Sequence, residues 1–195
     1  MQMIMRAEIF KNNEWQKVGN VFKSAIDDTL MTDRVFDGRD HILHEILGYK
    51  KTCNFEHTPI KQLQGYVKVE DTYAVTLSQL MSYDWTASMS KIGLITEWQY
   101  KKLKQDGVEP TRKITYVVDE KNAKIVDAFE MDEIINDNSL RDAEKKYYVK
   151  HYYDTKPLSE WCNFFCHISL PSLLRLISFD GPTTLNDVRI VYSFV

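Results

Sequence analysis

Strict alternation at the two ends of the chain sets the strongest limit on its fold. From Met3 to Phe10, Met3, Met5, Ala7 and Ile9 fall on one side and Arg6 and Glu8 on the other, the period of two that a half-buried strand presents. Val188-Arg189-Ile190-Val191-Tyr192-Ser193-Phe194-Val195 alternates again and is rich in β-branched and aromatic residues, which fit a pleated surface. Both termini therefore belong to sheets. Lys11-Asn12-Asn13 reads as a turn into a second strand from about Trp15 to Phe22, so the chain opens with a hairpin.

The middle of the chain mixes strands with short helices. Lys113 to Val118 and Ala123 to Phe129 flank Asp119-Glu120-Lys121-Asn122, a polar connector of hairpin length. Tyr147 to Tyr153 alternates between two aromatic faces, as a central or interface strand would. Thr76-Leu77-Ser78-Gln79 carries a capping-box pattern ahead of Leu80-Met81. Thr96 precedes Glu97 to Lys104, a helix expected to end near Gly107. Ser159 to Ile168 and Pro171 to Ile177 read as two further helices, parted at Ser169-Leu170-Pro171 because proline suits a helix start better than its interior. Regular strand-helix-strand alternation is absent. The expected class is α+β, a mainly antiparallel sheet with hairpins, short helices packed on it and both termini in strands.

At 195 residues, with ordinary apolar and charged fractions, the chain can bury one substantial core, and one globular domain over residues 1–195 is expected. A net charge of −3 is too small to draw a polyanion across the whole surface, which argues against duplex DNA. No apolar stretch reads as a signal peptide or approaches the roughly 20 residues that span a bilayer. The expectation is a cytoplasmic protein without a membrane partner. Cys53, Cys162 and Cys166 are odd in number and uneven in spacing, so reduced thiols are expected.

Chemistry concentrates at one junction. Asp37-Gly38 is a turn dipeptide, Asp40 can cap a short helix with the apolar stripe Ile42, Leu43, Ile46 and Leu47, and Gly48 stops it. Arg39 is left beside a positive helix end, where its guanidinium suits phosphate or carboxylate, with Asp37 and Asp40 placed to orient it or to meet sugar hydroxyls. Tyr83-Asp84-Trp85 follows the Thr76 helix and delivers two large aromatics and a carboxylate, a set that can stack a base and bind its polar edge. The ligand-binding set is therefore Asp37, Arg39, Asp40, Tyr83, Asp84 and Trp85.

Other clusters have plainer readings. His41, His44 and Glu45 fall on the polar face of the short helix in a spacing that matches no metalloprotease pattern. Cys162 and Cys166, with His167 next to them, lack the second ligand pair of a structural zinc site, and Trp161, Phe164 and Phe165 around them favour buried, inert thiols. Lys101, Lys102, Lys104, Arg112 and Lys113 form the densest basic region, and Asp132 to Asp142 reads as a solvated acidic surface. Neither a phosphate loop, a dinucleotide fingerprint nor a nucleophile elbow is found. No catalytic residue, metal ligand or cofactor is assigned.

Four segments together resemble a family of uncharacterised phage and prophage proteins. They are Arg6-Ala7-Glu8-Ile9, Asp37-Gly38-Arg39-Asp40, the run from Thr76 to Trp85, and Asp187-Val188-Arg189-Ile190-Val191. Gln79 stands where the family usually has Glu, and His41 where it has an aromatic such as Tyr. The resemblance implies a viral or prophage origin and carries no catalytic residue. With it, the residues read first as a phage protein acting in the host cytoplasm, sequestering a small anionic ligand such as a nucleotide-derived immune signal and so inhibiting bacterial defence. In that reading Arg39 clamps phosphate and Tyr83 or Trp85 stacks the base. A second reading is a protein-binding inhibitor of a host enzyme, using exposed aromatics and sheet edges. A third is a metal-dependent hydrolase or nuclease built on His41, His44, Glu45 and Asp84. Oligomeric state stays open, a homo-oligomer included.

Overall fold

A computed structural model describes residues 3–18, 34–36, 41–49, 56–110, 123–145, 148–179 and 184–195. Along the chain run β1 (Met3–Lys11), β2 (Glu14–Val18), β3 (Arg34–Phe36), α1 (His41–Ile46), β4 (Glu56–His57), β5 (Val67–Val69), β6 (Thr72–Thr76), α2 (Leu77–Ser82), β7 (Ser88–Thr96) and α3 (Glu97–Asp106). They are followed by β8 (Lys124–Ile125), α4 (Ala128–Asn136), α5 (Asp142–Lys145), β9 (Tyr148–Pro157), α6 (Leu158–Trp161), a π-turn (Phe165–Ser169), α7 (Leu170–Phe179) and β10 (Val188–Phe194). The fold is α+β, mainly antiparallel, with a strand near each end of the chain. Among the described residues no helix is long and apolar enough to cross a membrane.

The chain forms two compact units. The first comprises Met1–Lys51, Ile60–Ser88 and Pro157–Val195, and the second Thr52–Pro59 and Met89–Lys156.

In the first unit the sheet order is β2-β1-β10-β6-β5, with β3 also paired to β1. β10 lies between β1 and β6, antiparallel to both, and joins Ala7 to Ile190 and Glu8 to Arg189. The alternation expected from sequence holds: Met3, Met5, Ala7 and Ile9 are buried with Val188, Ile190 and Tyr192. Val191, on the opposite face of the strand, is buried as well, so the middle strand is covered on both faces at this point. The opening hairpin turns through Asn12 and Asn13, both at positive φ (53° and 64°), the left-handed pair that a two-residue hairpin needs and that Asn tolerates. The second strand ends at Val18, and the remainder of the segment expected to Phe22 lies outside the described residues.

The short helix α1 ends as its sequence requires. Gly48 adopts φ 95°, while the Tyr49 amide donates to the His44 carbonyl and the Gly48 amide to Glu45, a Schellman close. Ile42, Leu43, Ile46 and Leu47 are covered, and so is His44 at 2 % exposure, while His41 and Glu45 keep partial exposure. The expectation that His44 lies on the polar face is thus corrected: at 100° per residue it stands at the edge of the apolar stripe, and Tyr49 and Phe194 pack against its ring. Tyr192 fastens the helix end by donating its hydroxyl to the Leu47 carbonyl at 2.9 Å.

The hairpin β5–β6, which the sequence reading missed, turns at Glu70 and Asp71 without glycine, and Glu70 sits at φ 54°. α2 follows with both capping-box bonds expected at Thr76 and Gln79. The Gln79 carboxamide then donates to the Gly65 carbonyl at 2.6 Å. Gly65 has φ 81°, and a Cβ there would stand 2.5 Å from Gln79 Nε2. Further on, the helix expected over Ser159 to Ile168 breaks into α6 and a π-turn, whose Leu170 amide reaches back to Phe165. Pro171 enters just there; it cannot donate to the helix, and the wider π-turn relieves its ring of the carbonyl it would otherwise strike. Leu158, Cys162, Phe165, Ser169 and Leu173 form its buried stripe.

In the second unit the sheet order is β4-β7-β9-β8. The segment Ala123 to Phe129, expected as one strand of a hairpin, is corrected: only Lys124 and Ile125 pair, parallel to Tyr148 and Val149, and Asp127 then caps α4. Its expected partner, Lys113 to Val118, lies outside the described residues. The aromatic strand runs to Pro157 as β9 and lies inside the sheet. α3 ends at Gly107 (φ 65°), in the place expected. Val126, Met131 and Ile134 make a small core with Tyr100, Ile135, Leu140 and Tyr148 packed on it.

Gly65→Ala should lose about 1–2 kcal/mol, since it adds the left-handed penalty and meets the Gln79 carboxamide. A thermal melt is expected to fall by roughly 2–8 °C, and an unchanged melt would mean that the Gln79 contact gives way freely.

Candidate functional site

Of the six residues assigned to a ligand, Asp37, Arg39 and Asp40 lie outside the described residues. Tyr83, Asp84 and Trp85 are brought together at the exit of α2. Asp84 is exposed, and its carboxylate accepts from the Thr86 hydroxyl at 2.6 Å and the Thr86 amide at 3.0 Å, bonds that hold its carboxyl below the usual range. The Tyr83 hydroxyl donates to the Lys61 carbonyl at 2.6 Å and the Trp85 indole N–H to the Leu80 carbonyl at 2.8 Å. The two rings meet edge to face at 4.8 Å, and Trp85 lies 5.5 Å from Phe165. Burial pushes the Tyr83 phenol well up, with Cys162, Asp84 and Glu45 reinforcing the shift.

This turn also carries backbone bonds to α6. The Trp85 and Ala87 carbonyls accept from the Ser159 and Leu158 amides. The polar tips of both aromatics are thus engaged in bracing the chain between residues 61 and 159. What they still offer a ligand is ring surface.

A polar cluster on the first sheet joins residues that the sequence reading had quoted only as separate motif members. Glu8, 6 % exposed, accepts on Oε2 from Arg189 Nε and Nη2 at 2.8 and 2.6 Å, and on Oε1 from Arg6 Nε at 2.9 Å. The Arg189 guanidinium lies 4.0 Å from the centre of the Trp15 ring, a cation–π arrangement that also covers the pair. Burial pushes the Glu8 carboxyl up, but bonds and charge from Arg189 and Arg6 outweigh it and hold the group below its ordinary value. The available signal was the placing of opposite charges at polar positions of two alternating segments that would have to pair.

His44 belongs to an aromatic cluster. Its ring lies 5.7 Å from Phe194 and 6.5 Å from Tyr49, and Tyr49 meets Phe194 at 4.8 Å. His41 is 6.4 Å from His44 and only partly buried. Among the described residues no three His, Cys, Asp or Glu side chains are grouped so as to hold a metal ion. Cys162 is buried, and burial pushes the half-buried Cys166 thiol up to about 11.

In the second unit several large side chains stand in solvent. Phe129 on α4 is 72 % exposed, Tyr153 on β9 57 % and Trp98 on α3 48 %. Lys102 lies 4.6 Å over the Trp98 ring. Lys104 pairs with Asp132 at 2.5 Å, and the Tyr100 hydroxyl donates to the same carboxylate. The basic region of the sequence is therefore partly neutralised by α4, while Arg112 and Lys113 lie outside the described residues. On β9, Val149, His151, Tyr153 and Thr155 share one face; the Ser90 and Thr155 hydroxyls meet at 2.6 Å, and the register with β8 adds Ile125 to it. Compared with known proteins, the chain matches no family model, no curated protein and no solved structure.

Glu8→Gln is expected to cost about 2 kcal/mol, the worth of hydrogen bonds to a charged group. Because the folded carboxyl is depressed, the gap between the two proteins should be full above pH about 4.5 and close as pH falls through the folded value; denaturant titrations from pH 7 to pH 3 measure it, and a gap independent of pH would sink the ion-pair account. Cys166 should react with iodoacetamide at pH 8 roughly 100-fold more slowly than an ordinary thiol, rising steeply towards pH 11. Mass spectrometry of the labelled peptide reads both.

Proposed function

We propose that this protein acts by binding another protein. The observation that carries this reading is the standing exposure of large apolar side chains on well-fixed elements, above all Phe129 on a capped helix and Tyr153 on an interior strand. Exposed apolar residues are ordinary on any surface, yet aromatic anchors on rigid supports with charged neighbours have the composition of interfaces. The resemblance to phage and prophage proteins makes a bacterial host protein the expected partner and inhibition of a host enzyme or defence factor the expected outcome.

Sequestration of a small nucleotide-like anion has less behind it. Its clamp, Arg39, lies outside the described residues, and the polar tips of Tyr83 and Trp85 are occupied by main-chain carbonyls. A ligand there would be read by stacking alone.

Affinity capture from a bacterial lysate with the full chain, followed by titration of the purified partner, tests the proposal. A saturable stoichiometric complex is expected, together with no calorimetric heat from cyclic nucleotides or ADP-ribose derivatives. Heat from any of those nucleotides without a protein complex would overturn it in favour of the small ligand.

A further inference from the structure

We infer that the outer face of α4 is the docking surface, and that its occupant is a protein surface bearing lysine and arginine around an apolar recess. This rests on the protein-binding reading and names its surface and partner chemistry.

The helix is held firmly from beneath. Asp127 accepts from the Glu130 amide at 2.9 Å and its own amide donates to the Glu130 carboxylate, while Met131 and Ile134 are buried in the small core. At 100° per residue, Phe129 and Glu133 stand on the side opposite Met131. Phe129 is the most exposed of the large apolar side chains described. Neither packing nor helix propensity explains a phenylalanine there, since Glu, Lys or Ala would favour the helix more and shed less apolar surface into water.

The charges beside it select the partner. Lys104 neutralises Asp132, and Arg141 neutralises Glu144. Among the described residues no cation is paired to Asp127, Glu130 or Glu133, and these carboxylates leave the face around Phe129 negative. A nucleic acid or an anionic bilayer would be repelled. A cationic protein surface would be steered in by the carboxylates and held by the ring. The open face of the second sheet carries Tyr153 and Ile125 but no charge pattern that selects an occupant.

The test uses the full chain and a fluorescent amphipathic helix of lysine and leucine, about 18 residues long so as to span five turns, with a glutamate–leucine twin as control. Saturable binding of the lysine peptide alone is expected. Phe129→Ser should weaken it roughly tenfold, as loss of an anchor does. Glu130→Gln with Glu133→Lys should weaken it similarly and flatten its salt dependence, and Glu130→Gln keeps the capping box intact. Both variants should melt as the parent does, with Tyr153→Ser binding normally. No saturable binding, or binding that Phe129→Ser leaves unchanged, overturns the inference. So does a parent dimer that Phe129→Ser dissociates, which would make a second copy the occupant. A lysate partner that is lost with Tyr153→Ser but kept with Phe129→Ser would leave protein binding standing and remove this surface from it.

Discussion

Everything in the first unit hangs on one strand finding its place. β10 enters between β1 and β6 and supplies the middle of the sheet, so that the apolar rows of three strands close into one buried layer. The register that achieves this also sets Arg189 opposite Glu8. A slip of one residue would turn Val188, Ile190 and Tyr192 to the wrong face and strand the carboxylate without its guanidinium. Apolar burial supplies most of the driving force, at roughly 1.5–3 kcal/mol for each large side chain. The ion cluster adds discrimination, because only one alignment satisfies it.

The second unit is organised differently. Its sheet has interior strands of nine and ten residues and edge strands of two each, and its small core gathers under α4. The carboxylate of Asp132 ties α3 to α4 through Tyr100 and Lys104. Chain economy explains the exposed aromatics poorly here: Phe129 sits two residues from Met131 and five from Ile134 yet takes no part in their packing. That contrast between a committed inner side and an uncommitted outer side is what gives the helix a surface of its own.

How legible this was depended on how local the physics is. Strand alternation at Met3 to Phe10 and Val188 to Phe194, the Asn12-Asn13 turn, the capping box at Thr76, and the stops at Gly48 and Gly107 are decided within a few residues, and sequence reading found them. Ala123 to Phe129 was misjudged because two residues pair with β9 before Asp127 caps a helix, and a β-prone run gives way to a capping box only in that context. His44 was misplaced because it stands at the edge of the apolar stripe, where Tyr49 and the distant Phe194 close over its ring. The Glu8–Arg189 pair was missed since its partners are 181 positions apart, and its only signal, opposite charges on two alternating segments, acts once those segments are paired. Among the residues assigned to a ligand, Tyr83, Asp84 and Trp85 are neighbours in the chain, but the bonds that Tyr83 and Trp85 make to Lys61 and Leu80 depend on contacts that no spacing encodes.

The place of β10 in the sheet has a further cost during synthesis. A ribosome releases β1 long before β10 exists, and for that interval the nascent chain holds an apolar strand whose central neighbour has yet to be made. Pairings that span nearly the whole chain are slow to form and leave open edges that invite association. Chaperone engagement between the synthesis of β1 and that of β10, easing once β10 clears the exit tunnel, follows from that order of manufacture.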